Sequence, residues 1–274
     1  MINLDADSIR QSLGELVGSR VAAFEAFSEV DSTNSYLMQQ AAPAPGQLHV
    51  VITDNQTQGR GRHGRTWQSP PGSGLCLSLA YTFEQQPAIL SALTLALGLG
   101  VIDALESLGV IGVQLKWPND LVAADGKLGG ILTETQARRA GDISVVTGLG
   151  LNVDLATHPD LGSESGWASH VSDLAGLVGE VPCRDELAAR LIDRLGGTFL
   201  KYETGGFGSF IHQWPERDWL LGRAVTVDAP ERQVTGIGAG VAEDGALLVD
   251  NGAGVCSRIT SGSVVNTGVR GTHE

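Results

Sequence analysis

Positive charge is scarce in this sequence. Lysine and arginine number 18 against 31 aspartates and glutamates, a net charge of −13 and a pI near 4.8. Phosphate backbones are gripped by basic surfaces, so broad binding to DNA or RNA is excluded, and adhesion to an anionic membrane with it. Lysine occurs only at Lys116, Lys127 and Lys201, so each is less apt to be surface filler than in an ordinary chain. Cysteine is as sparse. Cys76, Cys183 and Cys256 are odd in number and far apart, which rules out a disulfide framework and a CxxC metal knuckle. The histidines (His49, His63, His158, His170, His212, His273) have no metal-ligand spacing, and no Ser/His/Asp order is evident. Met1 to Arg20 has no basic stretch leading into an apolar core, so no signal peptide is expected. The longest apolar window, Ala88 to Leu105, is broken by Ser91, Thr94, Gly98, Gly100 and Asp103, too short and polar to span a bilayer. The expectation is a cytoplasmic protein without membrane or DNA partners.

What is present supports a folded protein. At ~100–200 residues per domain, 274 residues suggest one large domain with a small appendage. Hydrophobic residues at 42% and charged residues at 18% permit a substantial core. Periodicity predicts a helix over 7–17, a strand over 21–29 and, after an N-cap cluster at Asp31–Asn34, a helix carrying Tyr36, Leu37 and the Ala41–Ala42 pair that Pro43 ends. It predicts a strand from His49 to Thr53 and another from Leu75 to Phe83, with Leu75, Leu77, Leu79 and Tyr81 on one face. A long helix over Pro87–Leu108 and a strand over Val113–Trp117 follow. Lys127–Thr135 and Ile143–Val153 read as paired strands joined by Gln136–Asp142, and 184–203 as an amphipathic helix. Past Gly222 only short β-like runs remain (Ala224–Val227, Thr235–Val241, Ala246–Val249, Val255–Ile259), so a small all-β unit is expected. The division is placed at 1–218 and 219–274, with the tail Thr267–Glu274 frayed.

Five segments carry chemistry. The first runs from Gln56 to Trp67, with Arg60, Arg62 and Arg65 close together and no acid between Asp54 and Glu84. Gly59, Gly61 and Gly64 leave its backbone free to wrap an anion, and arginine offers paired donors to phosphate or carboxylate. Such a run also reads as a solvated surface loop. It spells G-x-G-x-x-G, but Pro70 and Pro71 follow where a dinucleotide fingerprint would open a helix, and no Walker A motif occurs. The second, Lys116-Trp117-Pro118-Asn119-Asp120, ends a strand and turns Asn119 and Asp120 outward, where they are an ordinary turn or oxygen ligands for a nucleotide's metal. The third, Lys127-Leu128-Gly129-Gly130-Ile131-Leu132, sets a lysine beside two glycines that admit a ligand closely. The fourth, Gly148-Leu149-Gly150-Leu151-Asn152, puts small residues on one strand face, against which a ligand or another backbone packs. The fifth, Ser32-Thr33-Asn34, starts a helix as a cap or as donors to a small polar ligand.

In this order and spacing the segments resemble the biotin protein ligases, or biotin–(acetyl-CoA-carboxylase) ligases, from about Asp31 through Asn152 and more weakly to Val265. The resemblance implies an α+β fold, a mixed sheet flanked by helices like that of class II aminoacyl-tRNA synthetases, followed by a small SH3-like β-barrel. The segment ahead of Val21 is too short for the winged helix some members carry, so the type without DNA binding is expected. The implied reaction has two steps. Biotin and ATP with Mg²⁺ form biotinyl-5'-AMP, and the biotin then passes to a lysine of a biotin carboxyl carrier domain. The family pattern puts biotin on Ser32, Thr33, Asn34, Gln56, Arg60, Gly61, Arg62 and Lys127. It puts the nucleotide on Arg62, Arg65, Trp67, Lys116, Asn119, Asp120 and Asn152. Lys127 and Arg62 are the expected catalytic residues, and Mg²⁺ is expected to arrive with ATP. The loop over Gly59–Arg65, lacking apolar anchors, is expected to be mobile when empty and to order over ligand. A lipoate or octanoate ligase of the same fold and a non-catalytic biotin-binding module are the alternatives, and a homodimer stays open.

Overall fold

Strict alternation organises the large sheet. In the computed structural model, which describes residues 4–137, 142–158, 161, 171–252 and 256–270, seven strands build it. They are β1 (Val21–Phe27), β2 (Leu48–Thr53), β3 (Gly74–Thr82), β4 (Gln114–Lys116), β5 (Asp120–Ala123), β6 (Gly126–Ala137) and β7 (Ile143–Asn152). Their order is β1-β2-β3-β7-β6-β5-β4. β1 and β2 run parallel and the other neighbours antiparallel, so the sheet is mixed. Leu75, Leu77, Leu79 and Tyr81 of β3 enter the main core, as their spacing predicts, with Leu149 and Leu151 of β7. That face is covered by two helices, α4 (Leu93–Ser107) and α6 (Arg184–Gly205), whose apolar residues join the same core. The other face carries small or polar residues, Ser78, Ala80, Gly148 and Gly150, and one short helix, α3 (Thr33–Gln39), which buries Leu37 against Val51, Ala80 and Val146.

Several boundaries differ from the sequence expectation. The helix over 7–17 is two, α1 (Ala6–Gln11) and α2 (Glu15–Gly18). The chain breaks at Gly14, whose N–H the Asp193 carboxylate of α6 accepts at 3.0 Å. The long helix starts at Leu93, not Pro87, because Ser91 and Ala92 are held by the C-terminal unit: Ser91 Oγ donates to the Asp244 carbonyl at 2.6 Å. β5 was not anticipated. Asp120 opens it and pairs with Lys116 across a hairpin, so the expected turn is confined to Trp117–Asn119. Two further helices, α5 (Leu174–Val178) and α7 (Trp214–Arg217), are too short to show a period. The connector expected at Gln136–Asp142 falls partly outside the described residues, as does Val255. None of the described helices is long and apolar enough to cross a membrane.

The C-terminal unit is all β, as expected: β8 (Arg223–Asp228), β9 (Gln233–Val241), β10 (Leu247–Asp250), β11 (Cys256–Ile259) and β12 (Ser263–Arg270). Their order is β11-β10-β9-β8-β12. No ladder joins β11 to β12 among the described residues, so the sheet is open where a closed barrel was expected. The expected frayed tail is corrected over 267–270, where Thr267 and Arg270 pair with β8, and 271–274 lie outside the described residues. The unit is seated firmly on the first. Trp117 Nε1 donates to the Gly245 carbonyl at 3.0 Å, and Val227, Leu247 and Val249 join the same core as the large sheet. The connection passes through Asp218, fully buried, which accepts Trp214 Nε1 and the Leu220 N–H, each at 2.9 Å. Replacing Asp218 by alanine strands two buried donors, and we expect a loss of about 3 kcal/mol in urea unfolding. A loss under about 1 kcal/mol would show that the joint does not rely on this carboxylate.

Candidate active site

The face of the sheet left free by α4 and α6 forms the floor of a cleft of about 500 Å³. Its walls are the start of α3, the arginine-rich loop, the β4–β5 turn, the start of β6 and, from the C-terminal unit, Ser263 and Val264. The glycines on β7 make room for side chains as well as for any ligand. A Cβ on Gly148 would lie 2.3 Å from Asn34 Oδ1, and one on Gly150 2.3 Å from the Trp67 ring. The small-residue pattern of Gly148–Asn152 therefore marks where two side chains rest on the floor.

At one end, the residues opening α3 form a closed network. Ser32 caps the helix, accepting the Ser35 N–H at 3.3 Å. Gln56 Oε1 accepts the Thr33 N–H at 2.8 Å and lies 3.1 Å from Thr33 Oγ1. Ser78 Oγ stands 2.6 Å from Thr33 Oγ1 and 2.7 Å from Asn34 Oδ1. Asn34 Nδ2 donates to the Leu132 carbonyl at 3.1 Å and to Glu134 Oε2 at 3.0 Å. All three α3 side chains are buried, so their rotamers are set before any ligand arrives.

The loop folds back on itself as a tight hairpin. Gly61 N–H donates to the Arg65 carbonyl at 2.7 Å and Trp67 N–H to the Gly59 carbonyl at 2.9 Å. The turn at its tip holds His63 at φ 55° and Gly64 at φ 74°, and His63 is exposed there. Arg60 reaches Glu134 at 2.6 Å. Arg62 Nη1 donates to Asn119 Oδ1 at 3.2 Å. Burial lowers the Arg62 guanidinium, an effect Asp120 opposes and Arg65 adds to. Arg65 lies exposed at the cleft's edge.

Three charges meet across from the loop. Asp120 Oδ1 lies 2.8 Å from Lys127 Nζ, and Oδ2 lies 3.4 Å from Lys116 Nζ. Asp120 and Lys116 are buried, while Lys127 is partly open to the cleft. Burial alone would raise the Asp120 carboxyl, but Lys127 and Lys116 outweigh it and hold it below the usual range. Burial prevails at Lys116, whose ammonium is pushed down to about 8 despite Asp120. Two cations against one anion leave the wall positive, with Lys127 Nζ 5.8 Å above the Trp67 ring. Such an array suits an anionic ligand and the extra charge that forms on it during reaction. Cys76 offers no nucleophile, because burial pushes its thiol up to about 11.

Every residue anticipated from the sequence lines this cleft. Asn152 does so as a brace, its amide donating to the carbonyls of Lys127 at 3.2 Å and Ser172 at 3.1 Å. Several contributors were missed, among them Leu155, Leu161 and Val171 of the cleft lining. Glu134 shares the cleft face of β6 with Gly130 and Leu132, and Ser78 interrupts the β3 leucines from the opposite face, so period-two counting outward from the motifs would have found both. Ser263 and Val264 come from the other unit, and no local pattern points to them.

Comparison with known proteins gives a consistent result. Residues 26–152 match the biotin/lipoate A/B protein ligase family, and residues 220–265 match the biotin protein ligase C terminal domain. The chain is 34% identical over 244 residues to the bifunctional ligase/repressor BirA of Escherichia coli, covering 88% of this chain and 72% of that protein. It is 32% identical over 272 residues to the biotin–(acetyl-CoA-carboxylase) ligase of Mycobacterium tuberculosis, covering 96% of each. Its fold is similar to the structure of a biotin protein ligase from Aquifex aeolicus in complex with biotin and ATP, with a TM-score of 0.72 and 29% identity over 89% of this chain and 97% of that one.

The buried lysine makes a testable demand. Its folded value of about 8 lies below the ordinary 10.5, so between the two the unfolded chain holds more protons and stability rises with pH. The stability of the wild type minus that of Lys116→Met, from urea unfolding, should therefore increase as pH climbs from about 8 to 10.5. A difference that stays level with pH would show Lys116 unshifted.

Proposed function

The chain belongs to the biotin protein ligase family, and we infer that its cleft activates biotin with ATP and passes it to a carboxylase. In the first step a biotin carboxylate oxygen attacks the α-phosphorus of ATP, forming the mixed anhydride biotinyl-5'-AMP and expelling pyrophosphate. In the second a neutral lysine amine of the carrier domain attacks the biotin carbonyl carbon. An amide forms, AMP leaves, and the amine's proton is released to solvent. Both partners in the first step are anions, so the catalytic demand is to cancel their repulsion.

The observation that carries this reading is the buried wall of Lys116, Asp120 and Lys127 facing an arginine hairpin across one cleft in a protein of net charge −13. Its partial opening to the cleft supports Lys127 as the residue that bridges the biotin carboxylate and the α-phosphate. Arg62, tied to Asn119, lies on the same side and serves the phosphate with Arg65. Ser32, Thr33, Asn34, Gln56, Arg60 and Gly61 surround the biotin end. Trp67, Lys116, Asn119, Asp120 and Asn152 support the nucleotide end, Lys116 and Asp120 by holding charge and Asn152 by bracing the start of β6. Mg²⁺ fits as a passenger of ATP rather than a resident. Asp120 is engaged by two lysines and Glu134 by Arg60 and Asn34, and no group of three or more His, Cys, Asp or Glu converges among the described residues. Bound there, Mg²⁺ would offset phosphate charge.

The division into a catalytic unit, 1–218, and a C-terminal unit, 219–274, is supported by the change in composition and by the joint at Asp218. The SH3-like character of the second unit remains our reading of an open five-stranded sheet. Biotin-dependent ATP–pyrophosphate exchange with Mg²⁺, run beside lipoate and octanoate, tests the function. Exchange with biotin alone is expected, and exchange with lipoate instead would overturn the substrate. Arg62→Ala should release the adenylate at least ~10-fold faster in a chase and label proteins less selectively, as loss of one preorganised donor predicts. Unchanged retention would remove Arg62 from the phosphate.

A further inference from the structure

Glu134 is an unusual residue for this cleft. A pocket built to receive a carboxylate and a triphosphate gains nothing from another negative charge behind its wall unless that charge does structural work. Glu134 stands on the cleft face of β6, in register with Val146 of β7, and its side chain is 22% exposed. Its two oxygens serve two different bodies. Oε2 accepts Asn34 Nδ2 at 3.0 Å, on the fixed wall at the start of α3. Oε1 accepts Arg60 Nη2 at 2.6 Å, on the arginine hairpin. Arg60 Nη1 also reaches Ser35 Oγ at 3.4 Å, so the guanidinium lies between α3 and β6.

The bonds that shape the hairpin are internal to it, Gly61 to Arg65 and Trp67 to Gly59. They define its form but do not fasten it to the sheet. Side chains fasten it, Arg62 to Asn119 in the β4–β5 turn and, at the end of the cleft away from Lys127, Arg60 to Glu134. The same carboxylate sets the Asn34 amide. With one Nδ2 hydrogen on the Leu132 carbonyl and the other on Glu134, and Oδ1 facing Ser78, the amide has a single orientation.

We propose that Glu134 is the positioning residue that latches the arginine hairpin over the biotin end of the cleft through Arg60 while it orients the Asn34 amide. This rests on the biotin ligase reading above. When the hairpin lifts, Glu134 loses its cation and an unbalanced charge is left beside the cleft, so closure and charge balance are one event. The latch retains the hydrolysable anhydride, and it acts on retention more than on the attack at phosphorus, which lies with Lys127 and Arg62.

The test uses Glu134→Gln, which keeps one acceptor for Asn34 and turns towards Arg60 a neutral amide N–H that cannot accept. Protein loaded with biotin and ATP is chased with unlabelled biotin, and hydrogen exchange is followed across 59–65. Glu134→Gln should release adenylate ~3- to 10-fold faster, the range expected for one partly exposed charged pair. It should exchange faster at 59–65 and raise KM for biotin more than it lowers kcat. Arg60→Ala should show the same defect, and the Arg60→Ala/Glu134→Gln double variant should be no worse than the larger single. Additive defects overturn the latch, as does wild-type release and exchange in Glu134→Gln. If the wild type forms no biotinyl-AMP, the ligase reading has failed and the free protein decides the latch separately. Faster exchange at 59–65 in ligand-free Glu134→Gln then supports it, and equal exchange overturns it.

Discussion

Two strands with opposite characters on their two faces determine most of this architecture. β3 and β7 lie side by side at the centre of the sheet, leucine on one face and small or polar residues on the other. Because the side-chain period of a strand is two, a register slip of one residue would exchange these faces completely. The pairing of Cys76 with Gly150 and Ser78 with Gly148 therefore fixes the core and the cleft together. The leucine face takes α4 and α6. The small face has space above it, and α3 and the arginine hairpin fill part of that space with Asn34 and Trp67.

Charge is then arranged against the background of the whole molecule. An acidic protein repels anionic substrates at long range, so its cleft must be locally positive. The sequence does this with two of its three lysines and three of its arginines on facing walls. Isolated buried ammonium groups would be costly, and Asp120 offsets that cost by standing between them. It neutralises one charge and leaves one over. Neighbouring hydrogen bonds of Asn119 and Asn152, to the Ile131 carbonyl and to Lys127 and Ser172, hold the strands on which those charges ride.

Much of this was legible in the residues. The alternation of Leu75 through Tyr81 predicted which face of β3 is buried. The glycines and arginines of Gln56–Trp67 marked a loop at the site, and all the anticipated site residues line one cleft. What was missed depends on partners distant in the chain. Glu134 is an ordinary strand glutamate until β6 is laid beside β7 and opposite α3. Ser78 is a polar interruption until Thr33 and Asn34 stand over it. β5 is four residues long, and its existence rests on pairing with β4 and β6 rather than on its own composition. The start of α4 at Leu93 is set by the C-terminal unit clasping Ser91, which no window of local sequence contains. The expected barrel failed for the same reason, since strand content was readable but closure is decided by which edges meet.

Ser263 and Val264 complete the cleft from the last strand, and β12 is held in place by pairing with β8. During synthesis on a ribosome, the hairpin, the lysines and α3 all emerge long before those two residues do. The cleft of a nascent chain is therefore open on one side until β12 has emerged, and a reactive anhydride formed earlier would meet bulk water. Placing one wall of the site in β12 ties the onset of chemistry to the emergence of that strand, so products truncated ahead of it are born without a finished reaction chamber.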